Sequence, residues 1–321
     1  MKKKKYKFNY YRFTMFLLAI GTILYFVIKH NNQKKYEEST EYKLLTIGYK
    51  QEEVDDLNKY LKKEELDKVL KMSYNTYLTG FIKEKYFLFS NLDKYLDYKK
   101  ENKKKNNTDI VAIINTEANI EWVDNEKETD TSKEELMLVN RIYSLGDYVP
   151  ELLEDAPVAF AFNNIKLDAN VLPLIEELIN DAKQAGYSFI LSGGYRSYED
   201  QENLYNKYVK SYGEREADSM VARPGHSEYQ TGLTFDLSLY GKSYDKPEES
   251  DEYNWLLNNA KNYGFIVRHT KEKENLTGYS ASLWKFRYVG EEAAKKMASE
   301  DLCFEEYYAY YVVGGKKWIT K

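Results

Sequence analysis

RPGHSEYQTG, at residues 223–232, is the stretch of this 321-residue chain that decides its fold. Three other strings surround it: SGGYRSYEDQ at 192–201 before it, and NWLLNNAKNYGFIVR at 254–268 and LWKFRYVG at 283–290 after it. The two polar strings contain glycines that we expect to form turns, because glycine adopts backbone conformations that other residues avoid. These glycines are Gly193, Gly194, Gly225 and Gly232.

Hydrophobic periodicity predicts helices and strands within and around these strings. We predict helices at 168–185, 198–212 and 255–263, another helix from Glu291, and strands at 188–191, 265–268 and 286–289. Asp168 is expected to cap the first helix, with Pro173 in its first turns, where a missing N–H costs little. Interleaved helices and strands of this kind predict an α+β domain.

The region at 33–108 is predicted to be a helical spacer. Apolar residues recur at helical spacing at 52–72, and a second apolar run at 77–96 also suits a helix or a helix pair. The charged run KKENKKKNNTD at 99–109 is predicted to be a solvated linker. The β-branched run DIVAIIN at 109–115 that follows predicts a strand.

The N-terminus predicts a membrane anchor. Residues 13–28, FTMFLLAIGTILYFVI, carry no charge. About 20 apolar residues usually span a membrane, and Tyr10 and Tyr11 can extend this segment as an interfacial aromatic belt. The basic residues among 1–29 favour a cytoplasmic N-terminus and an extracellular C-terminal domain. A cleavable signal peptide is the alternative, but no small-x-small pattern follows Lys29, which favours an uncleaved single-pass anchor.

Charge and cysteine content limit the classes of partner and compartment. The net charge is −5, and the basic N-terminus leaves the remaining chain more acidic still. An acidic body without a basic patch argues against a nucleic-acid partner. Cys303 is the only cysteine, so no intramolecular disulfide can form. We expect three segments: a basic tail and anchor at 1–29, the spacer at 30–108, and the domain at 109–321.

In this order and spacing, the four strings resemble those of the VanY-type D-alanyl-D-alanine carboxypeptidases, of the LAS-type zinc peptidase superfamily. The resemblance covers residues 136–305. It implies an α+β fold with a small antiparallel sheet and flanking helices, of the D-Ala-D-Ala carboxypeptidase/hedgehog-like type. It also implies a cell-wall role, because these peptidases trim the stem peptides of peptidoglycan.

The resemblance also implies where zinc would be bound. A hydrolytic zinc needs three protein ligands, an open position for water, and a nearby carboxylate that takes the proton of that water. The family supplies these from an HSEHQTG string, an aspartate seven residues on, and an EPWH string. Here the ligand positions hold Tyr229, Asp236 and Lys285, and Ser282 stands where the general-base glutamate belongs. We therefore expect no bound zinc, no other cofactor and no catalytic residue.

Other residues could take the place of the lost ligands. One alternative site would use His226, Asp236 and His269. Lysine is a poor ligand because its amine is protonated at neutral pH, and a tyrosine pKa near 10 disfavours the phenolate. We expect instead that the Lys285 ammonium fills the space of the zinc and pairs with Asp236 within about 4 Å, while Tyr229 fills the remaining volume and donates a hydrogen bond. The alternative is that Lys285 extends to solvent and Asp236 pairs with another donor.

The substrate-binding half of the family site is retained. Arg196 matches the family arginine that contacts the substrate and stabilises the oxyanion, a role that a fixed guanidinium suits. Four more residues match family positions around the cleft: Gln201, Arg223, Ser227 and Gln230. A purely structural role in holding the cleft together is the alternative for all five.

Three functions remain compatible with the sequence. A zinc-free pseudopeptidase would bind a peptidoglycan stem peptide, or a cell-envelope protein, in the former active-site cleft. An active D,D-carboxypeptidase would need a non-standard metal site. A structural scaffold would act through its spacer and have a vestigial cleft. A metal assay separates the second function from the others, and titration with a stem pentapeptide separates the first from the third. The replaced ligand positions favour the pseudopeptidase.

Overall fold

The computed structural model describes residues 10–118, 122, 125–241 and 247–313. The chain forms two compact units, Met1–Glu101 and Asn102–Lys321. The described part of the first unit is helical, and the strands described below lie in the second.

Helix α1, Tyr10–Glu38, begins the first unit. Its segment Phe13–Glu38 is long and apolar enough to cross a membrane, and its apolar window is not buried inside the protein. Leu18 and Phe26, for example, are more than half exposed. A continuous exposed apolar surface marks contact with a membrane or another apolar surface. The predicted apolar helix is confirmed, although a signal sequence would pass the same test of length and composition.

Shorter helices fold the rest of the first unit around a core of its own. They are α2 (Thr40–Ile47), α3 (Gln51–Tyr60), α4 (Lys63–Val69), α5 (Leu78–Phe81) and α6 (Leu92–Glu101). Phe81 and Tyr95 are fully buried, and their rings stack with centroids 5.5 Å apart. The helical spacer is confirmed. The pattern at 52–72 is split into α3 and α4, because the Glu65 carboxylate accepts the Lys62 N–H and starts a new helix.

The second unit begins with a helix where a strand was predicted. Asn107–Asn115 form α7, so the predicted strand at 109–115 is wrong. The Asn106 side chain accepts a 2.7 Å hydrogen bond from the Asp109 N–H and caps this helix. Residues 110–113 are all buried. A short apolar run buried on every side has no periodicity that distinguishes helix from strand, and the cap decides between them.

Two short sheets precede the main sheet. Strand β1 (Lys127–Glu128) runs parallel to β2 (Tyr143–Ser144), and β3 (Leu153–Asp155) runs antiparallel to β4 (Lys166–Asp168). The main sheet contains β5 (Phe189–Gly193), β6 (Thr234–Leu239), β7 (Phe265–His269) and β8 (Ser282–Tyr288). It is antiparallel, in the order β5-β6-β8-β7. The predicted small antiparallel sheet is confirmed.

Helices flank this sheet. They are α8 (Leu172–Gln184), α9 (Tyr198–Tyr212), α10 (Glu214–Met220), α11 (Asp251–Asn259), α12 (Glu274–Thr277), α13 (Glu291–Glu300) and α14 (Phe304–Tyr307). Helix α9 has the predicted bounds, and the Ser197 hydroxyl caps it. Helix α8 begins later than predicted. Asp168 ends β4 and accepts the Asn170 N–H, so it does not cap a helix.

The alternation of side chains along β6 and β8 fixes the position of the site. Phe235 and Phe286 are fully buried, and their rings stack with centroids 5.8 Å apart. Successive strand residues point to opposite faces of a sheet, so Asp236 and Lys285 share the other face. These two residues lie directly opposite each other in the register of β6 and β8.

Candidate functional site

A cleft of about 250 Å³ opens beside this polar face. Its lining includes eight of the residues singled out from the sequence: Arg196, Gln201, His226, Ser227, Tyr229, His269, Ser282 and Lys285. Tyr279 and the segment Ser219–Ala222 also line it, and no pattern in the sequence indicated them. Pockets for drug-sized ligands have volumes of roughly 300–1,000 Å³, so this cleft suits a smaller group such as the end of a peptide.

A tyrosine and an aspartate occupy two of the three positions that correspond to the family's metal ligands. Tyr229 lies in the 3₁₀ turn Glu228–Thr231. Its Oη lies 2.8 Å from both Oδ1 and Oδ2 of Asp236 and donates a hydrogen bond to this carboxylate. Burial, followed by the charge of Asp236, raises the pKa of Tyr229, which keeps the phenol protonated as a donor. On the other side, the Asp236 carboxylate packs so closely on Gly193 that a Cβ there would collide with it.

Lys285 does not form the predicted ion pair. Its Nζ lies over the ring of Tyr229, 4.5 Å from the centroid, and among the described residues no ion pair joins it to Asp236. The prediction was wrong because the Tyr229 hydroxyl takes both carboxylate oxygens and leaves the ammonium over the face of the ring. Burial lowers the pKa of Lys285, and the charge of Glu228 opposes this effect.

Arg196 lies at the same aromatic ring. Its guanidinium carbon is 4.8 Å from the ring centroid of Tyr229, and its backbone N–H donates to the Tyr229 carbonyl at 3.2 Å. Its Nη1 donates to Oε1 of Gln201 at 2.9 Å, and Nε2 of Gln201 donates to the Ala222 carbonyl at 2.6 Å. Gln201 therefore fixes the position of an arginine that lines the cleft.

The remaining predicted binding residues divide into two groups. Ser227 is buried but reaches the cleft. Gln230 is fully buried and donates from Nε2 to the carbonyls of Gly146 and Tyr148, at 2.8 and 2.9 Å. Arg223 binds the Asp218 carboxylate through Nε and Nη2, at 2.8 and 2.6 Å. Gln230 and Arg223 are not among the cleft-lining residues described above, and their contacts hold the surrounding segments together.

The alternative metal site is not assembled. Both ring nitrogens of His226 have partners: the Asn140 carbonyl at 2.7 Å and the Glu126 carboxylate at 2.8 Å. His269 is only 5% exposed, packs against Tyr279 and lines the cleft. Burial keeps its pKa well below the ordinary value. Within the described ranges, no three His, Cys, Asp or Glu side chains are grouped to hold a metal ion.

The side chains at the family ligand positions do not fit a catalytic zinc. A zinc ligand must offer a lone pair, as a carboxylate, a neutral imidazole or a thiolate does. Asp236 is the one such group at the three positions, and both its oxygens already accept the Tyr229 hydrogen bond. Ser282, at the position of the general base, has no carboxylate. We therefore derive no hydrolytic step for this cleft.

A buried ion network behind the cleft was not predicted from the sequence. Arg268 and Glu228 are 2% and 4% exposed. Nε of Arg268 lies 2.8 Å from both Glu228 carboxylate oxygens, and its Nη1 and Nη2 donate to Glu305 at 3.0 and 2.6 Å. Burial alone would raise the pKa of Glu228, but the charges of Arg268, Arg287 and Lys285 hold it below its ordinary value. This network joins the 3₁₀ turn of Tyr229 to β7 and α14.

Comparisons with known proteins agree with this architecture. Residues 164–291 match the family described as VanY: D-alanyl-D-alanine carboxypeptidase. The putative carboxypeptidase YodJ of Bacillus subtilis is 37% identical over 182 residues, which cover 54% of this chain and 66% of that protein. A D-alanyl-D-alanine carboxypeptidase of Enterococcus faecalis is 33% identical over 187 residues, covering 56% of this chain and 67% of that protein.

Among solved structures, the LdcB LD-carboxypeptidase is similar to this chain with a TM-score of 0.54 and 34% identity. The similarity covers 60% of this chain and 93% of that one. Residues 164–291, which match the family model, contain the main sheet and the four strings from which the site is built. The chain therefore belongs to the VanY family of D-alanyl-D-alanine carboxypeptidases.

Proposed function

We propose that this protein is a zinc-free pseudopeptidase that binds the stem peptide of peptidoglycan in the former active-site cleft. The observation that carries the proposal is the hydrogen bond from Tyr229 to both oxygens of Asp236, which occupies the one carboxylate left at the ligand positions. A site that keeps its binding side chains without a metal ligand set can bind a peptide and leave it uncut.

The retained arginine supports peptide binding. Arg196 lines the cleft and is held by Gln201 and by the ring of Tyr229. A guanidinium fixed in this way can donate to a peptide carbonyl or carboxylate with little loss of side-chain freedom. The relatives named D-alanyl-D-alanine carboxypeptidase act on peptides that end in D-alanyl-D-alanine, as their name states, and we propose that this chain binds the same class of peptide.

We expect the full-length chain, in detergent micelles, to bind a synthetic stem pentapeptide ending in D-alanyl-D-alanine, measured by isothermal titration calorimetry. Arg196→Ala should weaken binding by about tenfold or more, because a charge-assisted hydrogen bond is lost. Arg215→Ala, which removes an exposed arginine in α10, is the matched control and should bind like the native chain. Equal affinities of all three chains would show that the peptide does not bind at Arg196 and would contradict the assignment of the cleft. No binding at all would contradict the proposed function and leave a scaffold or a protein partner.

We also expect no release of D-alanine from this pentapeptide, with or without added zinc. A bound metal is what makes water nucleophilic near pH 7, and no described group of side chains here is arranged to hold one. The measurement is an enzymatic D-alanine assay over long incubation. D-alanine release that is abolished by Asp236→Ala would overturn the pseudopeptidase and favour an active site with a non-standard metal.

The apolar helix α1 is proposed to be an uncleaved single-pass anchor in the cell membrane, with the N-terminus cytoplasmic and the domain extracellular. The basic residues before Phe13 and the exposed apolar surface after it support this orientation. We expect the membrane fraction to contain the chain with its N-terminal sequence intact, as determined by mass spectrometry. A mature form that begins after Ile28 and is found free in the medium would show a cleaved signal peptide instead.

A further inference from the structure

Two cations share the ring of Tyr229 at the cleft. The Arg196 guanidinium and the Lys285 ammonium lie 4.8 and 4.5 Å from its centroid, and both side chains line the cleft. The phenol hydroxyl points away from them to Asp236. The ring of Tyr229 thus lies between the Asp236 carboxylate and the two positive charges that face the cleft.

The carboxylates near these cations are already engaged. Asp236 accepts from Tyr229, and Glu228 is bound on both oxygens by Arg268. In the part of the chain that the structure describes, Lys285 has a ring contact but no hydrogen-bond acceptor and no ion-pair partner. A partly buried ammonium without an acceptor is unfavourable, and an anionic group of a ligand would supply what it lacks.

The position of Lys285 indicates which part of a peptide would supply the anion. In a zinc peptidase the metal polarises the carbonyl of the bond to be cut, and hydrolysis turns that carbonyl carbon into a carboxylate. Lys285 comes from the strand position of a family metal ligand, opposite Asp236 in the sheet. An ammonium at this place has no lone pair for metal chemistry and attracts a carboxylate far more strongly than a neutral amide carbonyl.

We propose that the cleft recognises a stem peptide that has already been trimmed, with its new terminal carboxylate seated at Lys285 beside Arg196. This inference rests on the proposed function and names the ligand of that same cleft as the product of a D,D-carboxypeptidase reaction. An untrimmed peptide would have to place an uncharged amide at Lys285 and leave the ammonium unpaired. The protein would thus distinguish trimmed from untrimmed wall peptides.

Three synthetic peptides test this proposal by calorimetry with the full-length chain: acetyl-L-Lys-D-Ala-D-Ala, acetyl-L-Lys-D-Ala, and the C-terminal amide of the second. We expect acetyl-L-Lys-D-Ala to bind about tenfold more tightly than the other two, because only it places a carboxylate at the ammonium. Free D-alanine carries a carboxylate without the peptide and should not compete. Competition by D-alanine would show a general carboxylate site and contradict the proposal.

The variant Lys285→Met keeps the length of the side chain and removes its charge. It should lower the affinity for acetyl-L-Lys-D-Ala to that for its amide, and leave the binding of acetyl-L-Lys-D-Ala-D-Ala unchanged. Lys285→Arg keeps the charge, tests the same position if the methionine variant folds poorly, and should keep the preference. The exposed Lys295→Met in α13 is the matched control.

These measurements distinguish a failure of the trimmed-peptide proposal from a failure of the proposed function. If the longer peptide binds as tightly as the shorter one and Lys285→Met changes neither affinity, the trimmed-peptide proposal is wrong while peptide binding stands. If no peptide binds to the native chain, the proposed function fails as well.

Discussion

Replacing three side chains together, Tyr229→His, Ser282→Glu and Lys285→His, is expected to produce a chain that binds one zinc ion and releases D-alanine from a stem pentapeptide. The register of the sheet places residue 285 directly opposite Asp236, and the Tyr229 hydroxyl already reaches both oxygens of that carboxylate. Histidines at these two positions would therefore lie within reach of a common metal ion. Elemental analysis and a D-alanine assay are the measurements.

The matched control for this prediction keeps Ser282 and restores only the two histidines. It should bind zinc, but the rate of D-alanine release should be about 10²–10⁴-fold lower than in the triple variant, because general acid–base catalysis contributes that factor. If the triple variant folds but binds no zinc, the backbone of the cleft differs from that of an active peptidase. If the triple variant still binds zinc after Asp236→Ala is added, Asp236 is not a ligand of that zinc, and the prediction is likewise wrong.

Arg268→Leu is expected to destabilise the second unit by about 3–5 kcal/mol, the usual cost of removing one partner from a buried ion network. Arg268 binds Glu228 and Glu305, and all three side chains are less than 5% exposed. The measurement is urea unfolding followed by tryptophan fluorescence. This signal reports the second unit alone, because the four tryptophans of the chain lie at positions 122, 255, 284 and 318.

Two further variants test whether unpaired buried charges cause this loss of stability. The triple variant Arg268→Leu, Glu228→Gln, Glu305→Gln leaves no unpaired charge and should regain part of the lost stability. Arg223→Leu is the comparison for a partly exposed pair, since the Arg223 and Asp218 side chains are 35% and 17% exposed. It should cost about 1 kcal/mol or less. A loss for Arg268→Leu as small as that for Arg223→Leu would mean that the network contributes little to stability.

The sequence predicted the elements around the site better than the contacts inside it. Helix α9 was correct at both ends because Ser197 is a strong start signal and Gly213 a strong stop signal. The proximity of Lys285 and Asp236 followed from the family positions, but their ion pair did not form. A hydrogen bond from Tyr229 was expected, but that its hydroxyl reaches both oxygens of Asp236 and leaves the ammonium over the ring is a three-dimensional property without a signal in spacing or periodicity.

Two other features could not have been found from local patterns. The strand predicted at 109–115 is a helix because the cap at Asn106 outweighs the strand preference of its β-branched residues, and burial on all sides leaves no periodicity that would show it. The network of Arg268 joins residues 40 and 37 positions away in the chain. Hydrophobic periodicity shows where apolar side chains are buried, and does not show which charged side chains are buried with them.

Under the proposed function, the hydrogen bond between Tyr229 and Asp236 also bears on whether single mutations could give this protein a zinc site. If histidine returned at position 285 alone, Asp236 would still be bound by the phenol. If histidine returned at position 229 alone, an ammonium would remain over the site and repel a divalent cation. Under the proposed function, neither single mutation would create a metal site for natural selection to act on, so an evolutionary path to zinc binding would require both changes together.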